Sequence, residues 1–157
     1  MTDSEPDSLQ TGCDALIARS NSLLLASSSV AGEAAISYAP FIRDDAGFYI
    51  FVSALASHTQ NLLARPRASI LFMEPEADAG NPFARRRLTF ACRVVEIGKH
   101  DERHALKLDA MAAKFGEIVA VLRSLPDFHL LLLQPEQGRF VAGFGKAFSV
   151  DGKGRLL

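Results

Sequence analysis

Five short runs rich in β-branched, aromatic and leucine residues follow one another with turn residues between them. They are SLLLASS (22–28), AAISYAPF (34–41), GFYIFVS (47–53), RASILFM (67–73) and RRLTFACRVVEI (86–97). Short strands at this spacing, punctuated by Gly, Pro and Asp, are the pattern of an all-β barrel or sandwich. SVAGE (29–33) supplies the turn of a first hairpin, and Asp44-Asp45 with Ala46-Gly47 a second turn. Simple alternation in the fifth run puts Leu88, Phe90, Cys92 and Val94 on one face, with Ala91 and Val95 on the other, which predicts partial cover on both. FHLLLLQ (128–134) is apolar on both faces, as expected of a strand between a barrel interior and another layer. RFVAGFGKAFSV (139–150) is expected to close the chain as one or two strands bent at Gly143 and Gly145.

Helical patterns interrupt the strands. Ser57 with Gln60 three residues later forms a capping box, and Pro66 biases Arg65 away from helical geometry, so a helix of two turns is bounded at both ends. Leu108, Met111, Ala112 and Phe115, then Ile118, Val121, Leu122 and Leu125, recur at helical spacing with Gly116 between them. Leu9, Cys13, Leu16 and Ile17 share a helical face and predict a first helix docked on the barrel, after a mobile tail over residues 1–8. With 157 residues the chain fits one domain, over 9–157: mainly β, a closed barrel with helical cover.

Several function classes are excluded by composition. A net charge of −1 gives no basic field for nucleic acid, and RRR at 85–87 is a local cluster. The two cysteines, Cys13 and Cys92, make neither a disulfide framework nor a zinc-type spacing. The longest apolar run, LLLL at 130–133, is far below the roughly 18 residues a membrane helix needs. The polar, acidic start carries no export pattern, so a reducing cytoplasmic location, with no membrane partner, is expected.

Four groups carry candidate chemistry. Ser57, His58 and Thr59 at a helix start offer backbone N–H groups, a hydroxyl and an imidazole to an anion, with Asn61 one turn on, although ordinary capping accounts for the same pattern. In SYAPF, Ser37 and Ala39 face one way and Tyr38 and Pro40 the other, and Pro40 removes a ladder bond, leaving backbone free at an edge. In FARRRL, Arg85 and Arg87 share a face and present guanidinium forks suited to phosphate or propionate, or to solvated ion pairs. His100 and His104 stand four apart without a third ligand, and His129 lies in an apolar strand; surface and core roles account for all three. No nucleophile, base and orienter can be assembled, so redox work would need a cofactor.

With SYAPF, ASHTQNLLARPRAS, NPFARRRL, LPDFHL and GFGKAF in this order from about Leu23 to Phe148, the sequence resembles the haem-utilisation family of the HugZ and HutZ type. That family lies within the pyridoxamine 5'-phosphate oxidase-like, FMN-binding split barrels. The resemblance implies a Greek-key split barrel and a homodimer with two equivalent cofactor sites at the interface. In flavin-binding relatives the segments matching SYAPF and ASHT approach FMN, and a basic residue near the helix start holds its phosphate. Here His58 stands in that region, with Arg67 or Arg85 to Arg87 as the other sources of charge. The implied cofactor set is Ser37, Tyr38, Ala39, Ser53, Ser57, His58, Thr59, Asn61, Arg67, Arg85 and Arg87. Haem-degrading relatives ligate iron through a histidine in a C-terminal extension, and this sequence has none after His129. An FMN flavoprotein, an oxidoreductase of unspecified substrate, is therefore the first expectation. Haem binding or degradation is the alternative, and a non-catalytic cofactor-binding module the third.

Overall fold

The computed structural model describes residues 4–157. Helix α1 (Glu5–Ala18) is followed by β1 (Ser22–Ser28), β2 (Ala34–Pro40), β3 (Ile42–Asp44), β4 (Gly47–Ser53), α2 (Ser57–Ala64) and β5 (Arg67–Met73). Then come β6 (Arg87–Ile97), α3 (Glu102–Phe115), α4 (Ile118–Arg123), β7 (Phe128–Gly143) and β8 (Lys146–Asp151). The α1 helix begins earlier than its apolar spacing suggests. Ser4 accepts from the Asp7 N–H, Pro6 lies in the first turn, and Glu5 and Asp7 put negative charge at the positive end of the helix dipole. Residues 5–8 of the expected tail are thus helical, and residues 1–3 lie outside the described residues.

One antiparallel sheet holds all eight strands in the order β2-β1-β5-β6-β7-β4-β3, with β8 added on β7. The expected closed barrel is open: no ladder joins β2 to β3 or β4. Pro40 ends β2, and the split is filled by side chains instead. Phe41 packs edge-on against Phe48 and Phe72 with centroids 5.5 Å away in each case. Its amide donates to the Asn21 carbonyl. Aromatic burial therefore replaces a row of hydrogen bonds at the seam.

The two expected runs 128–134 and 139–150 are not separated at PEQG. β7 runs on through Pro135, because the register slips there: Cys92 lies opposite Pro135 and Ala91 opposite Gln137, leaving Glu136 as the extra residue of a bulge. A bulge needs no ladder donor at the proline. The four leucines at its start divide as the two-faced pattern predicts. Leu131 and Leu133 join the barrel core with Phe48, Phe72 and Phe90, while Leu130 and Leu132 lie under α3 with Leu108, Met111 and Val119. On β6, Val95 is covered by that second layer but Ala91 is exposed.

A half-buried tie fixes α3 to the hairpin beneath it. Asp44 accepts from the Tyr49 hydroxyl at 2.9 Å and from the Ala46 amide at 2.8 Å, and pairs with Lys107 at 2.6 Å. Burial alone raises the Asp44 pKa, but the hydrogen bonds from Lys107, Ala46 and Tyr49 outweigh it and hold the carboxyl below its usual value. Asp44→Asn is expected to cost about 1–2 kcal/mol in urea unfolding at neutral pH. Because the folded-state pKa is lowered, the gap should be complete above about pH 4 and shrink as pH falls through that value. A gap unchanged at low pH would refute this assignment.

Beyond the part of β6 and β7 that lies under α3, the outer face of β2, β1, β5, β6, β7 and β8 carries exposed residues. One row across it runs Tyr38, Leu24, Leu71, Thr89, Arg139 and Ser149 by ladder register. Ile36 and Tyr38 on this face are 78% and 65% exposed. Among the described residues no helix is long and apolar enough to cross a membrane.

Candidate functional site

The start of α2 is built differently from a capping box. Ala56 is the cap residue, without a side-chain bond, and Ser57 is already the first helical residue. Gln60 turns away and donates to the Ala54 carbonyl at 2.8 Å. The turn into the helix is organised by Ser53, whose Oγ accepts from the Leu55 amide and donates to Asp127. Its carbonyl accepts from Ala56. Ser53 is therefore committed to the turn and not free for a ligand.

Below that turn the polar groups separate into used and unused. Asn61 donates to Ser27 Oγ at 3.1 Å and pins α2 to β1. Thr59 is completely buried, yet its Oγ1 has no partner, and neither has the buried Ser37 Oγ. A buried hydroxyl without a partner costs roughly 1–3 kcal/mol, so each position has unused capacity for a ligand atom or water. The Ser57 and His58 amides donate to no backbone acceptor among the described residues. Burial lowers the His58 pKa below its usual value, so the imidazole is neutral at pH 7 and brings no charge to this end of the helix.

The expected cations do not supply it either. Arg67 leaves β5 at the α2 end but pairs with Glu136 at 2.6 Å. Arg65 donates to the Val30 carbonyl at 2.7 Å. Arg87 lies opposite Met73, at the far end of the β5–β6 ladder from Arg67, about 20 Å along at 3.3 Å per residue. There Arg85 donates to the Glu74 carbonyl at 2.6 Å and Arg87 to the Arg85 carbonyl at 2.9 Å. The bonds hold the two side chains in place and leave other guanidinium N–H groups open.

Seven of the eleven expected residues fall in two places within one chain. Ser53, Ser57, His58, Thr59 and Asn61 lie at the α2 end. Tyr38 and Arg85 meet at the other end of the sheet, on a groove of about 290 Å³ also lined by Leu24, Leu71 and Met73. Ala39 is 2% exposed, and alternation turns its side chain into the barrel core as Tyr38 turns outward. His100 precedes α3, so it does not share a helix face with His104. Among the described residues no three His, Cys, Asp or Glu side chains cluster as a metal site. His129 is held by Glu96 at 2.6 Å.

Sequence reasoning missed Ser27 and Asp127 as partners of the α2 end. Ser27 had a signal: alternation in SLLLASS puts it inward with Leu23 and Leu25, a polar residue in a core register. Asp127 sits in LPDFHL, but nothing in the spacing paired it with Ser53, 74 positions away.

Comparison with known proteins agrees with this fold. HutZ of Vibrio cholerae, described as a heme oxygenase, is 41% identical over 130 residues, 83% of this chain and 74% of HutZ. A crystal structure of HutZ, there described as a heme storage protein, superposes with a TM-score of 0.77 at 34% identity, covering 82% of this chain and 90% of that one. ChuZ of Campylobacter jejuni superposes with a TM-score of 0.84 at 29% identity over 99% of this chain, which spans 63% of the ChuZ chain. The family model for pyridoxamine 5'-phosphate oxidase matches residues 9–142, and the chain belongs to that family.

Proposed function

We propose that this protein binds haem, and that it does so as a dimer. The observation that carries the reading is the 41% identity to HutZ. The two descriptions of HutZ, oxygenase and storage protein, share haem binding and differ on turnover. Binding is accordingly the function proposed, and turnover is a separate test with an electron donor. The groove between Tyr38 and Arg85 suits an amphipathic macrocycle: Leu24, Leu71, Met73 and the Tyr38 ring offer an apolar edge, and Arg85 and Arg87 offer donors to propionates. At about 290 Å³ it lies at the lower limit of ligand pockets, roughly 300–1,000 Å³, so a second copy closing over the exposed sheet face would complete it. Bound haem would supply the redox chemistry, and the chain's part is to hold and orient it. Titration with haem should produce a Soret band that saturates at one equivalent per chain, in a species of twice the monomer mass. Free-haem absorbance unchanged in protein excess would reject the proposal.

FMN at the α2 start is the second reading. It is favoured by the unpartnered Thr59 hydroxyl and the open Ser57 and His58 amides, which suit a phosphate. Burial keeps the imidazole at this helix start neutral at neutral pH, so the reading has a definite pH signature. His58 gains its charge only below its lowered pKa. FMN affinity should therefore rise several-fold as pH falls from 8 towards 5, and the rise should vanish in His58→Gln. A protein that takes up no FMN at any pH excludes it. If haem or FMN binds without turnover of a donor, the non-catalytic module is the better description.

A further inference from the structure

A cavity of about 310 Å³ lies between the β3–β4 turn and the C-terminal turn after β8, away from both places described above. Arg43, Lys153 and Arg155 line it. The Lys153 and Arg155 side chains make no hydrogen bond or ion pair among the described residues, and the Arg43 guanidinium donates to the Lys153 carbonyl at 3.2 Å. Two carboxylates share the lining, but Asp44 is already neutralised by Lys107 at 2.6 Å, which leaves Asp45, with Asp151 in the turn itself, against three cations. Like charges gathered around one concavity repel, and an anion among them removes that cost.

The framework around these cations is rigid. Asp151 accepts from the amides of Lys153 and Arg155, each at 2.9 Å, and its own amide donates to the Arg155 carbonyl. Gly154 sits at φ +81°, where the turn requires a glycine. Gln10 of α1 grips the same turn from behind, donating to the Gly154 carbonyl at 2.8 Å and accepting from the Leu156 amide at 2.9 Å. Arg43 is held in turn by the Phe48 ring, 5.3 Å beneath its guanidinium carbon. A fixed backbone removes main-chain ordering from the cost of binding.

We propose that this cavity is a binding site for a small phosphate-bearing molecule, held by Arg43, Lys153 and Arg155. Guanidinium forks match phosphate oxygens in pairs, and a multivalent anion uses all three charges. The proposal is independent of the haem reading, since no residue is shared.

Inorganic pyrophosphate is the probe, titrated into the full chain at low ionic strength and followed by calorimetry and backbone-amide NMR. The expected result is saturable 1:1 binding with shift changes confined to residues 43–47 and 151–155. The double variant Lys153→Gln/Arg155→Gln should bind at least tenfold more weakly, while Arg19→Gln/Lys99→Gln, equal in charge removed, should bind as the parent does. Arg43 is left in place because its packing on Phe48 serves the fold. Absence of saturable binding overturns the proposal. So does equal weakening in both double variants, which would mean diffuse attraction, and so do shift changes centred on Ser57 to Thr59 instead.

Discussion

Replacing Gly138 by alanine should unfold most of the population at room temperature, or shift urea unfolding by about 3–5 kcal/mol out of a typical total of 5–15 kcal/mol. A Cβ at this position would stand 2.3 Å from the Thr89 carbonyl oxygen, 2.7 Å from a Phe90 ring carbon and 2.9 Å from a Val150 methyl. The first of these is backbone, and it cannot yield: Gly138 sits mid-strand in β7, opposite Phe90 of β6 on one side and Val150 of β8 on the other. Moving β6 away breaks the ladder that joins both barrel halves, and moving β7 displaces Phe140, which is 1% exposed in the core. Gly143→Ala is the control, because nothing lies within 4 Å of a Cβ there and its φ is not positive. Gly143→Ala should unfold within about 0.5 kcal/mol of the parent. Equal, small effects at both positions would show that the sheet relaxes around residue 138 and that this account of β7 packing is mistaken.

The same strand shows what was legible in the sequence and what was not. Runs of β-branched, aromatic and leucine residues between turn residues placed seven of the eight strands, and the two-faced LLLL run divides between two layers because a pleated strand turns alternate side chains to opposite faces. The bulge at Glu136 was not legible: Pro135 and Gly138 read locally as a loop, and only the partner strands, far off in sequence, make them a strand. β3 was missed for a similar reason, being three residues held by β4 alone. At the candidate site, the residue types were right and their grouping was not. Ser57, His58 and Thr59 were found from a helix-start pattern, yet no side chain caps the helix, and the turn into it is held by Ser53 and Gln60, with Ser53 bonded to Asp127. The arginines were treated as one pool of charge. Strand register separates them, since Arg67 and Arg87 lie at opposite ends of one ladder and Glu136 occupies the former.

That separation gives the haem reading a sharp test. Arg85→Gln/Arg87→Gln should weaken haem binding on the order of 100-fold, if each guanidinium contributes about 1.5–3 kcal/mol through a charge-assisted bond to a propionate and the two are partly redundant. Arg67→Gln, at the α2 end and already ion-paired with Glu136, should leave haem affinity within a factor of two. Because Arg85 also donates to the Glu74 carbonyl, thermal unfolding of each variant must accompany the titration. A double variant that melts with the parent and binds 100-fold more weakly places the propionates at the Tyr38–Arg85 groove. A double variant that melts with the parent and binds as tightly, with the loss appearing in Arg67→Gln, moves haem to the α2 end. There the unpartnered Thr59 hydroxyl would be its nearest anchor, and the FMN and haem readings would compete for one place. The arrangement of charge along β5 and β6 makes the first outcome the expected one. At the α2 end burial keeps His58 neutral and Glu136 holds Arg67, whereas Arg85 lines the groove beside Tyr38, Leu24, Leu71 and Met73, with Arg87 bonded to its carbonyl, and neither guanidinium has a carboxylate partner among the described residues.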